Sequence, residues 1–256
     1  MKNILLTGGS GYIGSHVAYY LSLNNYNPII YDNLSTGFRK LSQNFTFEKG
    51  DIRDKKKLSE VIQKYKIKEV MHFAAFSIAS ESNKNPSKYY ENNVCGTINL
   101  LNTLIESNVK HVIFSSTAAI FGNAAEIPIK ESTIKNPINV YGNNYKTPDG
   151  TCIRDYLHVL DIADAHLKAL EKQLKTNTSC KINLGTKKGV SVLEIIKCVE
   201  KITDKKVPFS IVEPRKGDPD ILVCDNTLAH QYLNWSPKYN IEDQILHAYN
   251  WRKKIS

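Results

Sequence analysis

The chain has 256 residues, 41% of them hydrophobic and 23% charged, enough to bury one large core or two modest ones and too apolar for a disordered or collagen-like chain. No apolar run approaches the roughly 18 residues of a membrane span, and residues 3–7 are too few for a signal-peptide core, so a cytoplasmic protein with no membrane partner is expected. The 34 Lys and Arg against 25 Asp and Glu give a net charge of +9, but the excess is Lys in short runs such as Lys55-Lys56-Lys57, without an Arg-rich stripe or interleaved aromatics. That pattern reads as solvated faces and not as a nucleic-acid surface.

In chain order, short apolar runs at residues 4–6, 28–31, 69–73 and 111–115 read as strands. Between them Ile13, Val17 and Leu21, then Leu58 and Ile62, then Val94, Ile98, Leu101 and Ile105 recur at helical spacing. Strand, turn and helix in repetition is the sequence form of a parallel sheet with crossover helices. Residues 123–152 show no sustained period and contain Pro128, Pro137 and Pro148, a length that few structureless loops reach in compact domains. Helices are expected at 161–174, at 191–202 with Val192, Ile195, Ile196 and Val199 on one face, and near 241–251, with a strand where Val207, Phe209 and Ile211 alternate. The expected fold is α/β, a doubly wound parallel sheet of Rossmann type over residues 1–150 with a smaller C-terminal α/β substrate region over 151–256. The five cysteines (Cys95, Cys152, Cys180, Cys198, Cys224) are scattered, with no C-x-x-C pair, and read as reduced, mostly buried thiols with no metal site.

Thr7-Gly8-Gly9-Ser10-Gly11-Tyr12-Ile13-Gly14 follows the first strand and opens the first helix. Glycines 8, 11 and 14 permit a tight turn, bring backbone N–H groups to a pyrophosphate at the helix N-terminus, and let helix and strand pack closely. Asp32 ends the second strand at the distance where a carboxylate meets a ribose diol and repels a 2′-phosphate, which favours NAD over NADP.

The glycine spacing resembles that of the extended short-chain dehydrogenase/reductase family. Asp32-Asn33-Leu34 and Gly50-Asp51-Ile52-Arg53 are similar to that family's adenosine-side contacts. His72-Phe73-Ala74-Ala75 resembles its loop beside the cofactor phosphates and ribose, and Tyr89-Tyr90-Glu91-Asn92-Asn93-Val94 its helix whose first Asn, here Asn92, touches the cofactor. Ser115-Ser116-Thr117-Ala118-Ala119 resembles the end of its fifth strand, where Thr117 would bind the reacting sugar hydroxyl. Dehydratases of the family place acidic residues just after it, and Ala118 and Ala119 cannot protonate a leaving hydroxyl.

The run from Gly142 to Val159, which includes Thr147-Pro148-Asp149-Gly150-Thr151 and Ile153-Arg154-Asp155-Tyr156, closely resembles UDP-glucose 4-epimerases. The resemblance implies that Arg154, with Arg215 and Asp218 of Pro214-Arg215-Lys216-Gly217-Asp218, contacts the UDP of a UDP-sugar substrate, a role that suits a planar, permanently charged guanidinium. Members of this family dimerise, so a homodimer is expected on resemblance alone. Asn183-Leu184-Gly185-Thr186 also matches, whereas Lys187-Lys188 departs from the usual Gly-containing turn.

These epimerases carry a Tyr-x-x-x-Lys pair in which Tyr takes the proton of the sugar 4-hydroxyl and Lys lowers the Tyr pKa. Among the 14 tyrosines only Tyr249 has a Lys four residues on, far from the cofactor motifs. Asn136-Pro137-Ile138-Asn139-Val140-Tyr141-Gly142 resembles the family's N-P-x-x-P-Y-G, which makes Tyr141 the candidate base. Yet a hydrophobic-aromatic-Gly tripeptide also precedes Asn-Asn-Tyr in relatives, so Tyr141 belongs to either motif. A helix carrying the Lys and a sheet strand are expected to be absent near residues 140–144. Two readings stay open: an NAD-dependent epimerase of UDP-glucose and UDP-galactose, and a catalytically impaired remnant that still binds NAD and nucleotide sugar.

Overall fold

The structure, a computed structural model, describes residues 1–117, 145–205, 207, 211 and 219–255. The chain divides into two compact units, Met1–Ser115 with His166–Asn177, and Ser116–Ala165 with Thr178–Ser256.

In the first unit β1 (Lys2–Thr7), β2 (Tyr26–Asp32), β3 (Thr46–Lys49), β4 (Glu69–His72) and β5 (His111–Phe114) form one sheet in the order β3-β2-β1-β4-β5, with every pair parallel. Ile4, Leu5 and Leu6 are all fully buried, as a strand covered on both faces requires. The strand β3 was not expected, because Thr46-Phe47-Glu48-Lys49 is a half-exposed edge strand with too few apolar residues to stand out. Helix α1 (Tyr12–Leu23) buries Val17 and Leu21, and α2 (Lys55–Lys64) buries Leu58, Val61 and Ile62 against Leu5, Ile29, Val70 and Leu104. The start of α2 is fixed by Asp54, whose carboxylate accepts the Lys57 N–H at 3.0 Å.

Two short helices, α3 (Ala79–Lys84) and α4 (Pro86–Tyr89), lead into a π-helical segment, Tyr90–Gly96, and then α5 (Thr97–Glu106). The helix is where the periodicity placed it, but Val94, Ile98, Leu101 and Ile105 are exposed, and the buried line runs through Asn92, Gly96, Leu100, Thr103 and Leu104. The second line meets the core under β1 and β4; the first is an apolar stripe on the outer side.

In the second unit β6 (Ile153–Arg154) lies between β7 (Val190–Ser191), antiparallel to it, and β8 (Ile221–Leu222), parallel. The helices are α6 (Val159–Thr176), which crosses the division between the units in sequence, α7 (Val192–Thr203), α8 (Thr227–Leu233) and α9 (Ile241–Ile255). Three were expected, α6 and α9 with shorter bounds and α7 one residue earlier; α8 is too brief to show a period. A capping box starts α7: Ser191 Oγ accepts the Glu194 N–H and Glu194 Oε2 accepts the Ser191 N–H. Trp235 is fully buried, its Nε1 donating to Asp161 O at 3.0 Å. The strand expected at 207–211 falls largely outside the described residues.

Of the five cysteines, all free, only Cys224 is buried, whereas Cys95 and Cys180 are exposed. This corrects the expectation of mostly buried thiols: Cys95 lies on the outer side of the π-helical segment and Cys180 outside any helix or strand. Among the described residues no helix is long and apolar enough to cross a membrane, and no group of His, Cys, Asp and Glu could hold a metal ion.

Replacing Asp54 by Ala removes the α2 cap and is expected to lower the unfolding free energy by about 1 kcal/mol, measured by urea titration. A loss indistinguishable from zero would show that α2 starts without its cap.

Candidate active site

The sheet order reverses at β1, with β2 on one side and β4 on the other, and ligands of open parallel sheets sit at the strand C-termini at such a point. Gly8 leaves β1 with φ +74°. Its N–H donates to Tyr31 O at 2.9 Å, and the Gly11 N–H returns to Gly8 O at 3.1 Å, closing the turn. A Cβ on Gly8 would lie 2.6 Å from Ala74 N and 2.7 Å from Phe73 C, so the turn is pressed against the segment leaving β4. Gly14 faces Gly8 and Gly9 so closely that a side chain there would overlap their backbone. Gly11 is the N-cap of α1, with no side-chain cap and no carboxylate in the first turn. This is an anion cradle built from backbone, and it fits the pyrophosphate of a dinucleotide.

Asp32, at the end of β2, is buried, and both of its oxygens accept backbone N–H groups: Oδ2 from Ser10 at 3.0 Å and Oδ1 from Leu34 at 2.8 Å. The carboxylate therefore shapes the glycine turn as well as facing its mouth. The Ser10 hydroxyl meets that of Ser42 at 2.7 Å, and Phe38 N donates to Ser10 O, so residues 33–42 fold back over the turn. Asn33 Nδ2 donates to Asp51 Oδ2 at 2.8 Å, bringing together two residues singled out from separate motifs. Arg53 donates Nε and Nη2 to the same carboxylate at 2.9 and 2.8 Å, and this bidentate pair holds Asp51 well below the usual carboxylate range.

His72, at the end of β4, belongs to a motif that gave it no role of its own. Its Nδ1 lies 2.6 Å from Thr7 Oγ1 and its Nε2 3.0 Å from Thr97 Oγ1, so one neutral ring links the residue before Gly8 to the start of α5. Burial pushes its pKa down to about 4. Asn93 was also missed. Its amide accepts the Phe76 N–H and donates to Phe76 O at 2.9 and 2.8 Å, fixing the segment that contains Phe73, Ala74 and Ala75, while Asn92 Nδ2 donates to Asn93 Oδ1. Both contacts depend on the π-helical segment, a feature that often marks functional sites.

In the second unit Arg154, on β6, donates Nη1 to Pro219 O at 2.9 Å and to Ile153 O at 2.8 Å. Pro219 follows Asp218 in sequence. The turn before β6 is anchored by Asp149, whose Oδ1 accepts Thr151 N and Oγ1 and whose Oδ2 accepts the Ser191 hydroxyl at 2.5 Å. Thr117 is exposed. Tyr141, Arg215, Asp218, Ala118 and Ala119 lie outside the described residues.

A profile of the GDP-mannose 4,6 dehydratase family matches residues 5–144, and one of the NAD dependent epimerase/dehydratase family matches residues 135–185. The chain is 33% identical to UDP-glucose 4-epimerase of Rhizobium meliloti over 99% of this chain and 98% of that one. It is 36% identical to that of Lactobacillus helveticus over 98% and 97%. Among solved structures it is similar to UDP-glucose 4-epimerase from Stenotrophomonas maltophila with bound NAD and formylated UDP-arabinopyranose (TM-score 0.93, 28% identity, 100% and 99% covered). It is also similar to that from Brucella ovis in complex with NAD (TM-score 0.90, 34% identity, 96% of each chain). The R. meliloti alignment runs over 320 residues against the 256 of this chain, so at least 64 aligned positions face no residue here.

Two outcomes follow from this geometry. A methyl group in Gly8→Ala collides with backbone, an overpacking that costs about 1–3 kcal/mol, and NAD affinity measured by calorimetry is expected to fall about tenfold or more; unchanged affinity would remove Gly8 from the cradle. The His72 pKa is lowered in the folded chain from 6.5 to about 4, so the unfolded chain takes up a proton that the folded chain refuses. The stability held by the neutral ring is complete above about pH 6.5 and falls by up to about 3 kcal/mol as pH drops toward about 4. His72→Gln should flatten that slope in urea titrations across the interval, and identical slopes would assign the effect to another group.

Proposed function

The chain belongs to the UDP-glucose 4-epimerase family, and we propose on that premise that its scaffold serves NAD-dependent epimerisation of a UDP-hexose at C4, UDP-glucose to UDP-galactose, in galactose metabolism. Identity of 33% and 36% to UDP-glucose 4-epimerases over almost the whole chain carries this conclusion. The dehydratase profile over residues 5–144 does not displace it, since the relatives span both halves and Ala118-Ala119 lack the acid a dehydratase needs.

Residues 1–150 form the NAD region in this reading and residues 151–256 the UDP-sugar region. Gly8, Gly11, Tyr12, Ile13 and Gly14 hold the pyrophosphate, a role supported by the tight glycine turn, in which a Cβ on Gly8 would collide with the backbone of Phe73 and Ala74. Asp32 and Asn33 receive the ribose, Asp51 and Ile52 the adenine side, and Phe73, Ala74, Ala75 and Asn92 the rest of the cofactor. Bound NAD supplies a reversible hydride acceptor. Arg154, Arg215 and Asp218 take the UDP, Thr117 the reacting hydroxyl, and Tyr141 is the candidate base. A cytoplasmic homodimer completes the reading; the free cysteines agree with a reducing compartment.

The absent positions favour a second reading for the chain as it stands. The two family profiles overlap at residues 135–144, the stretch where the sequence departs from the Tyr-x-x-x-Lys pattern, and we place the missing segment there. Lowering a tyrosine from about 10 toward 7 takes about 4 kcal/mol of neighbouring positive charge. With no Lys to supply it, the chain binds both ligands and turns over poorly, since an activated general base contributes about 10²- to 10⁴-fold.

The test compares conversion of UDP-glucose to UDP-galactose by this chain and by the L. helveticus relative, with NAD binding followed on the same samples. Binding with a rate at least about 10²-fold lower is expected, and grafting the relative's segment between Tyr141 and Gly142 should restore turnover. Full activity without the graft would refute impairment; absence of NAD binding would refute the functional assignment.

A further inference from the structure

We infer that Asp155 is a positioning residue for the diphosphate-binding arginine, an inference that rests on the role proposed for Arg154. Asp155 directly follows Arg154, the last residue of β6, and its N–H continues the pairing to Leu222 O; successive side chains of extended backbone point to opposite faces. A carboxylate on the same face as a phosphate-binding guanidinium would repel the ligand; from the other face it can order the strand without meeting the phosphates. Asp155 Oδ1 accepts the Thr186 N–H at 2.8 Å and the Thr186 hydroxyl at 2.5 Å, and Oδ2 accepts the Cys224 N–H at 3.1 Å. Thr186 lies in the turn that leads to β7, and Cys224 lies just after β8. One carboxylate therefore joins the flanks of both strands that border β6.

The small sheet needs such a clamp. With two residues, β6 is fixed against β8 mainly by Ile153 N donating to Asp220 O at 2.8 Å and Asp155 N donating to Leu222 O at 3.1 Å. Three charge-assisted bonds to one carboxylate exceed that ladder in number and in strength per bond. The same register carries Arg154 Nη1 to Pro219 O, so a slip of β6 along β8 displaces the guanidinium from that carbonyl. Asn226 Nδ2, donating to Gly185 O at 2.7 Å, ties the Thr186 turn to the segment after β8 a second time.

Asp155→Asn keeps the volume and turns one oxygen into an NH2, which then faces Cys224 N–H or the Thr186 donors, donor against donor. The experiment is calorimetric titration of the full chain with UDP and, separately, with uridine, which lacks the diphosphate. The wild-type chain should bind UDP more tightly than uridine. In Asp155→Asn, UDP affinity is expected to fall about tenfold while uridine affinity changes by less than about twofold. Thr186→Val removes one donor to Asp155 and leaves its backbone N–H; it should show the same selective loss, smaller in size, and it decides the matter should Asp155→Asn fail to fold. Equal losses for UDP and uridine, or no loss in either variant, would overturn the inference by making Asp155 purely structural or irrelevant. A wild-type chain with no preference for UDP over uridine would instead refute the role of Arg154, and the inference with it.

Discussion

The contact of Gly8 with the backbone leaving β4 is the constraint on which the first unit depends. With φ +74° and no side chain, Gly8 lets β1 end against Phe73 and Ala74, and the parallel sheet reverses its order between β1 and β4. Asp32 pins the turn through Ser10 and Leu34, and His72 pins the strand end before it through Thr7. A buried carboxylate and a buried neutral imidazole thus stabilise the glycine turn at the C-terminal end of β1. The arrangement is costly to perturb because each polar group lies away from water and has its partner.

The second unit solves a harder problem with less material. Its sheet has strands of two residues, so ladder hydrogen bonds alone give little rigidity. Side chains supply the rest. Asp149 and Asp155 each accept several donors, and Ser191 both caps α7 and holds the turn before β6. Asp161 joins the start of α6 to the backbone of Lys238 and Tyr239, with Trp235 donating to its carbonyl. The region that carries Arg154 is therefore ordered by carboxylates facing backbone N–H groups.

Much of this was legible in the sequence for stated reasons. The glycine triplet, its position after an apolar run, and the distance to Asp32 are local features, and local spacing suffices for a turn and a strand end. The motif from Thr147 to Tyr156 is also local and was read by resemblance, although the two-residue strand β6 within it is too short to show a period. What was not legible depends on distant partners: Asp155 meets residues 31 and 69 positions away, and His72 meets Thr7 at 65. The strand β3 escaped because edge strands need little hydrophobicity. The outward stripe of Val94, Ile98, Leu101 and Ile105 shows the limit of periodicity, which identifies a helix without saying which apolar side meets the core.

The deficit of at least 64 aligned positions bears directly on the proposed function. On the proposed account, a scaffold that still binds NAD lacks the element that would ionise its base. Peptide-resolved hydrogen exchange of the chain with and without NAD tests that account most directly. Slowed exchange confined to residues 8–15 and 73–76 is the predicted result, because the glycine turn and the segment leaving β4 are pressed together there and bound NAD would restrain both. Unchanged exchange there at saturating NAD, or protection confined to the second unit, would contradict it.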